Sequence, residues 1–143
     1  GDVLLVTGNL GGSIKGKHLT FEPRLKEALW LVKKFPIHAM MDLSDGLSKD
    51  LPRLAAASGV EFTIDETAVP CTPGCTPDQA WSDGEDYELL FAVSPKTTER
   101  LLREWSETFP DLPLTQIGTL VPAGEGSAPS FSTEGWDHFK RIA

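Results

Sequence analysis

An α/β sandwich, with a mixed sheet and helices packed on it, is the fold class that the sequence predicts. Three observations predict it. Short apolar runs bounded by glycines and acidic turns alternate with stretches whose apolar residues recur at helical spacing. The 143 residues, 40% of them hydrophobic, suffice for one real core and are too few for two ordinary domains. No apolar run approaches the roughly 20 residues that span a bilayer, so the apolar segments must bury one another.

The elements follow in order. Val3-Leu4-Leu5-Val6 is a short buried strand that ends in the glycine-rich stretch Gly8 to Gly16. Glu22 to Phe35 carries apolar residues at Leu25, Ala28, Leu29, Val32 and Phe35, a helical stripe with Pro23 in its first turn. Ile37 to Met41 is a strand. Leu47, Leu51, Leu54, Ala55 and Ser58 mark a second helix that Gly59 stops. Pro52 requires that helix either to kink or to begin near Asp50. Val60, Phe62 and Ile64 alternate as a half-buried strand. Thr67 to Trp81 is a Pro/Thr/Cys loop with room for one helical turn. Tyr87 to Val93 is an apolar strand, and Ser94-Pro95 opens an amphipathic helix to Phe109 through Leu101, Leu102 and Trp105. Thr115 to Val121 is a strand, Pro122 to Pro129 a loop, and Phe131 the start of a last short strand. Trp30 and Trp105 belong to the core.

Two acidic turns stand out. In Met41-Asp42-Leu43-Ser44-Asp45-Gly46-Leu47 a strand runs into two carboxylates and a hydroxyl at a glycine. Short oxygen ligands on a tight turn suit a hard divalent cation carrying phosphate. The same residues also serve as an ordinary Asp-Gly turn and helix cap, so two readings stay open. In Gly84-Glu85-Asp86-Tyr87-Glu88-Leu89 a second acidic cluster opens a second apolar run. Strand alternation puts Asp86 and Glu88 on one side and leaves Glu85 at the mouth, either to bond an amino-heterocycle or simply to line a hairpin. The loop Gly8 to Gly16 lacks the Walker spacing and its closing Lys-Ser or Lys-Thr pair, and a plain connection describes it better than a phosphate cradle. Trp136 offers either a stacking platform for a flat cationic ring or a closure of the core edge, and His138 beside it has no partner set by motif.

A formal charge of −8 argues against nucleic acid, whose backbone is held by Lys and Arg. An acidic protein that handles phosphate needs metal ions or local cations to offset its own field. Cys71 and Cys75 have neither redox-pair nor zinc spacing, and a reducing cytoplasm is the default. The start at Gly1, directly on a strand-like run, is how an excised fragment begins.

Taken together, Gly1 to Gly8, Met41 to Leu47 with Asp50-Leu51, Ser58-Gly59-Val60, Gly84 to Phe91 and Gly135-Trp136-Asp137-His138-Phe139 resemble the thiamine-monophosphate kinases. More narrowly, they resemble the C-terminal domain which those enzymes share with aminoimidazole ribonucleotide synthetase. The resemblance implies that residues 1–143 form one domain, the C-terminal half of a two-domain kinase whose N-terminal ATP-binding domain is absent here. It implies ATP- and Mg²⁺-dependent phosphorylation of thiamine monophosphate to thiamine diphosphate in a cytoplasmic homodimer, and an inactive fragment. Carried over by position, Asp42 and Asp45 are Mg²⁺ ligands, Ser44 contacts ATP, and Glu85 and Trp136 contact thiamine monophosphate. Asp83 departs from the family, which has a glycine there, and Pro70 to Ser82 is shorter than the family's loop. The alternatives are another ATP-using member of the superfamily (a selenophosphate or purine-pathway synthetase) or a non-catalytic ligand-binding module. Gly84-Glu85-Asp86-Tyr87-Glu88-Leu89 argues against the first.

Overall fold

The computed structural model describes residues 1–13, 16–20 and 22–130. The strand expected from Phe131, together with Trp136 and His138, lies outside the described residues. In chain order the elements are β1 (Val3–Thr7), α1 (Lys17–Thr20), α2 (Leu25–Lys34), β2 (Ala39–Asp42), α3 (Leu47–Ala57), β3 (Glu61–Ile64), α4 (Pro77–Ser82), β4 (Leu89–Val93), α5 (Pro95–Thr108) and β5 (Leu114–Val121), with a 3-10 turn at Glu66–Ala68.

Every residue of β1 and β4 is buried, because helices cover both faces of the sheet. Alternation along a strand divides one apolar run between two cores. Leu4, Val6, Leu90 and Ala92 pack with Leu47, Leu51 and Leu54 of α3 and Ala80 and Trp81 of α4. Val3, Leu5, Leu89, Phe91 and Val93 pack with Leu31 and Phe35 at α2 and Leu101 and Trp105 of α5. The sandwich of the sequence reading is therefore present, with three layers.

The strand order is β2-β4-β1-β5-β3, and all four pairings are antiparallel. A mixed sheet was the expectation, and the difference has a simple cause. The helical crossovers do set β1, β2 and β3 in one direction, as strand–helix alternation demands. The later strands β4 and β5 then run the opposite way and slot between them. At one edge, Gly126 and Ser127 meet β3, with Ser127 N donating to Phe62 O at 3.2 Å and Gly126 N to a Glu61 carboxylate oxygen at 2.9 Å.

Local corrections follow from the same packing. The expected α2 stripe is really two stripes. Leu31 and Phe35 are buried and Ala28 packs beside them, whereas Leu25, Leu29 and Val32 are 70%, 57% and 53% exposed. Periodicity detects apolar residues one turn apart but does not say which strip meets the sheet. Helix α3 starts at Leu47 and runs through Pro52 to Ala57, so the late start near Asp50 does not apply. The proline there withholds one N–H from the carbonyl of Ser48. The helical turn for which the Thr67–Trp81 loop had room is α4, closed at its start by a capping box in which Thr76 accepts from Gln79 N at 3.2 Å and Gln79 Oε1 accepts from Thr76 N at 2.8 Å. That helix delivers Trp81 into the core at 1% exposure. Strand β4 begins at Leu89 rather than Tyr87, since Glu85 and Tyr87 hold positive φ of 59° and 53°, which no extended strand accommodates.

Candidate functional site

The two acidic turns are neighbours. Strands β2 and β4 pair with Asp42 opposite Leu89, and the ladder continues past their ends in irregular form. Leu43 N donates to Glu88 O at 2.8 Å, Tyr87 N to Leu43 O at 2.8 Å, and Glu85 N to Ser44 O at 2.7 Å. Asp42, Ser44, Asp45 and Glu85 are thereby carried on two backbones laced together at one end of the sheet.

The first turn is built around Asp50, a residue quoted in the sequence reading only as part of a string. Its Oδ2 accepts from Ser44 N and from Asp45 N, each at 3.0 Å, which fixes the turn from inside. Asp50 is fully buried, and that burial pushes its carboxyl above the usual carboxylate range. Arg53 lies 3.2 Å from Asp50 Oδ1 and pairs with the Asp45 carboxylate. Gly46 has φ 102° and ψ 151°, and a Cβ there would stand 3.1 Å from Ser82 O, so the helix start needs glycine. Asp42 is exposed and Ser44 half-exposed, and neither side chain has a bonding partner among the described residues.

The second turn is held by the glycine-rich loop. Gly11 N donates to Asp86 Oδ1 and Gly12 N to Asp83 Oδ2, both at 2.9 Å, while Ser13 Oγ donates to Gly84 O. These amides are occupied by the protein's own carboxylates, so the loop is a connection and a clamp, as its spacing suggested. Glu88 is buried and accepts from Thr7 Oγ1 at 2.6 Å and from Arg24 Nε and Nη2 at 2.9 and 2.8 Å. The Glu88 carboxylate in return raises the Arg24 guanidinium pKa. Gly8, at φ 65°, leaves room for that carboxylate where any Cβ would collide with it. Glu85 escapes these bonds; it is half-exposed, and its carboxylate has no partner among the described residues.

Residues 12–129 match the family described as AIR synthase related protein, C-terminal domain. The chain belongs to that family. Within it, the chain is 39% identical over 132 residues to the thiamine-monophosphate kinase of Rhodopirellula baltica, covering 85% of this chain and 40% of that protein. The thiamine-monophosphate kinase structure from Stenotrophomonas maltophilia K279a superposes with a TM-score of 0.75 at 28% identity, covering 85% of this chain and 48% of that one. A structure described as AaThiL complexed with AMPPCP and TMP superposes with a TM-score of 0.67 at 28% identity, covering 97% of this chain and 52% of that one. The chain thus spans about half the length of these relatives.

For this AIR synthase-related domain, the donor set is open rather than closed. No group of three or more His, Cys, Asp or Glu side chains is placed to hold a metal among the described residues. Asp42, Asp45 and Ser44 nevertheless offer hard oxygen donors of the kind Mg²⁺ takes when phosphates and waters complete its shell. The turn also draws positive charge already, since Arg53 sits on Asp45. Asp42, Ser44 and Asp45 are the residues that could hold a metal whose shell phosphate and water complete. Sequence reasoning missed Arg24 and Arg53. Arg53 was within reach, as a cation eight residues beyond Asp45 on the helix that follows the turn. Nothing in the spacing joins Arg24 to a glutamate 64 positions away.

Proposed function

We propose that this chain is the C-terminal half of an ATP- and Mg²⁺-dependent thiamine-monophosphate kinase, acting in a cytoplasmic homodimer with an N-terminal ATP-binding domain. The observation that carries this reading is the lacing of the Asp42 turn to the Glu85 loop in a chain 39% identical to a named thiamine-monophosphate kinase. No helix among the described residues is long and apolar enough to cross a membrane, and both cysteines are free thiols, which suits a reducing compartment.

In the proposed reaction an oxygen of thiamine monophosphate attacks the γ-phosphorus of ATP, and the bond to ADP breaks. Two polyanions must meet, so the site has to cancel charge and hold the line of attack. Magnesium supplies that neutralisation. Asp42 and Asp45 would hold it, Ser44 would contact ATP, and Glu85 would accept a hydrogen bond from the aminopyrimidine. Trp136 would stack on the cationic ring of the vitamin. Asp50 keeps the first turn in shape, and Asp83, Asp86 and Glu88 keep the second.

The chain alone is expected to stay at background in a coupled assay of ADP release. Joined to the N-terminal half of its Rhodopirellula baltica relative, it is expected to make thiamine diphosphate from thiamine monophosphate and ATP. A soluble, folded fusion that binds ATP and forms no ADP would sink the reading.

A further inference from the structure

A cavity of about 410 Å³ opens between α3 and the β3 edge of the sheet. Small-molecule sites span roughly 300–1,000 Å³. None of Asp42, Ser44, Asp45 and Glu85 lines it. One wall is a single face of α3, since Ser48, Pro52, Ala55 and Ala56 recur at helical spacing. Phe62 supplies a second wall, and the segment ending at Pro129 closes a third side.

Two polar features of the α3 wall have no use within the fold. Ser48 is 1% exposed, and its hydroxyl has no hydrogen-bond partner among the described residues. A buried hydroxyl is normally bonded, and leaving it unpaired costs free energy. One turn on, Pro52 has no N–H to offer the Ser48 carbonyl. Alanine at either position would remove the defect, yet both defects fall in this wall. Glu61 also lines the cavity and is exposed. One of its carboxylate oxygens accepts from Gly126 N at 2.9 Å, and the other has no partner among the described residues.

We propose that this cavity binds a small aromatic ammonium compound, with the ring between Ala55 and Phe62, the ammonium at Glu61 and a ring hydroxyl at Ser48. The site stands apart from the kinase reading and does not depend on it. Apolar walls favour a ring over the water it displaces. The Glu61 carboxylate favours a positive end group and repels a negative one. Ser48 Oγ can donate to a ring hydroxyl or accept from it, which fixes the buried end.

The test titrates the chain with tyramine, phenethylamine and 3-(4-hydroxyphenyl)propionate, followed by NMR at the Ala55 and Ala56 methyls and the Phe62 amide. Tyramine is expected to bind about fivefold more tightly than phenethylamine, the worth of one hydrogen bond. It should bind about threefold or more tightly than the propionate, the worth of one exposed charge pair. Ser48→Ala should erase the first ratio and keep the second. Its urea midpoint should be unchanged or higher, because an unpaired hydroxyl has been removed. Glu61→Gln keeps an acceptor for Gly126 N, and it should erase the second ratio while keeping the first. Absence of shifts at these three residues with millimolar tyramine overturns the proposal. So does a tyramine preference that survives Ser48→Ala, which would leave that hydroxyl to water, or a Ser48→Ala chain that unfolds at clearly lower urea, which would give it a partner in the fold. Release of ADP by the kinase fusion is a separate readout, so either reading can fail while the other holds.

Discussion

The Asp42 turn and the Glu85 loop share an acidic composition and lie side by side, yet they use their carboxylates in opposite ways. In the loop, Asp83, Asp86 and Glu88 are committed to Gly12 N, Gly11 N and the Thr7–Arg24 pair. Only Glu85 is left over. In the turn, one buried carboxylate, Asp50, does the holding, and Asp42 and Asp45 are left at the surface. The difference teaches that acidic density does not mark a ligand site. What separates the carboxylates is whether the fold already uses them: Asp42 and Glu85 have no side-chain partner among the described residues, whereas Asp45 is paired with Arg53.

Four substitutions test that contrast. Arg24→Ala should have the largest effect on stability, because it strands the buried Glu88 carboxylate with Thr7 alone. A loss of about 3 kcal/mol in urea unfolding is expected, at the low end for a broken buried pair since Arg24 is partly exposed. A loss under about 1 kcal/mol would erase the structural role assigned to the loop. Gly46→Ala comes next, at about 2 kcal/mol, from a backbone region almost reserved for glycine and a close approach to Ser82 O. An unchanged unfolding midpoint would show that the turn tolerates other shapes.

Asp50→Asn should act through pH. Its carboxyl holds a proton more tightly in the folded chain than in the unfolded one, chiefly from burial. Its contribution is therefore complete below the ordinary carboxylate value of about 4 and is lost as pH rises through the higher folded value. The asparagine variant should lack that slope, seen as a smaller change in urea midpoint between about pH 4 and pH 7. Equal slopes in both proteins would place the buried charge elsewhere. Asp42→Asn should have the smallest effect on stability, within about 0.5 kcal/mol, as expected for an exposed side chain without a partner. It should nonetheless weaken Mn²⁺ binding about tenfold. A destabilised variant with unchanged Mn²⁺ affinity would make the two turns alike and collapse the comparison.

Much of this was legible in the residues. The apolar runs Val3–Val6 and Tyr87–Val93 announced strands, and the Asp-Gly and Gly-Glu-Asp strings announced where the chain turns. What stayed hidden was long-range. Strand alternation put Asp86 and Glu88 on one side, but nothing local said that Gly11 and Thr7 receive them. The apolar strip Leu25, Leu29 and Val32 looks the same on paper as Ala28, Leu31 and Phe35, and only the position of the sheet distinguishes them. The insertion of β4 and β5 between earlier strands is likewise decided by pairings made far along the chain.

That insertion has a consequence for how the molecule comes into being. Strand β1 is synthesised well before either of its partners, β4 and β5, and the Thr7 hydroxyl waits for a glutamate 81 residues downstream. Such non-local closure is slow, and it leaves an apolar ribbon without a neighbour during translation. A polypeptide halted before residue 93 would emerge with the Asp42 turn intact in sequence and unsupported in space. Chaperone demand should therefore peak just before β4 leaves the ribosome.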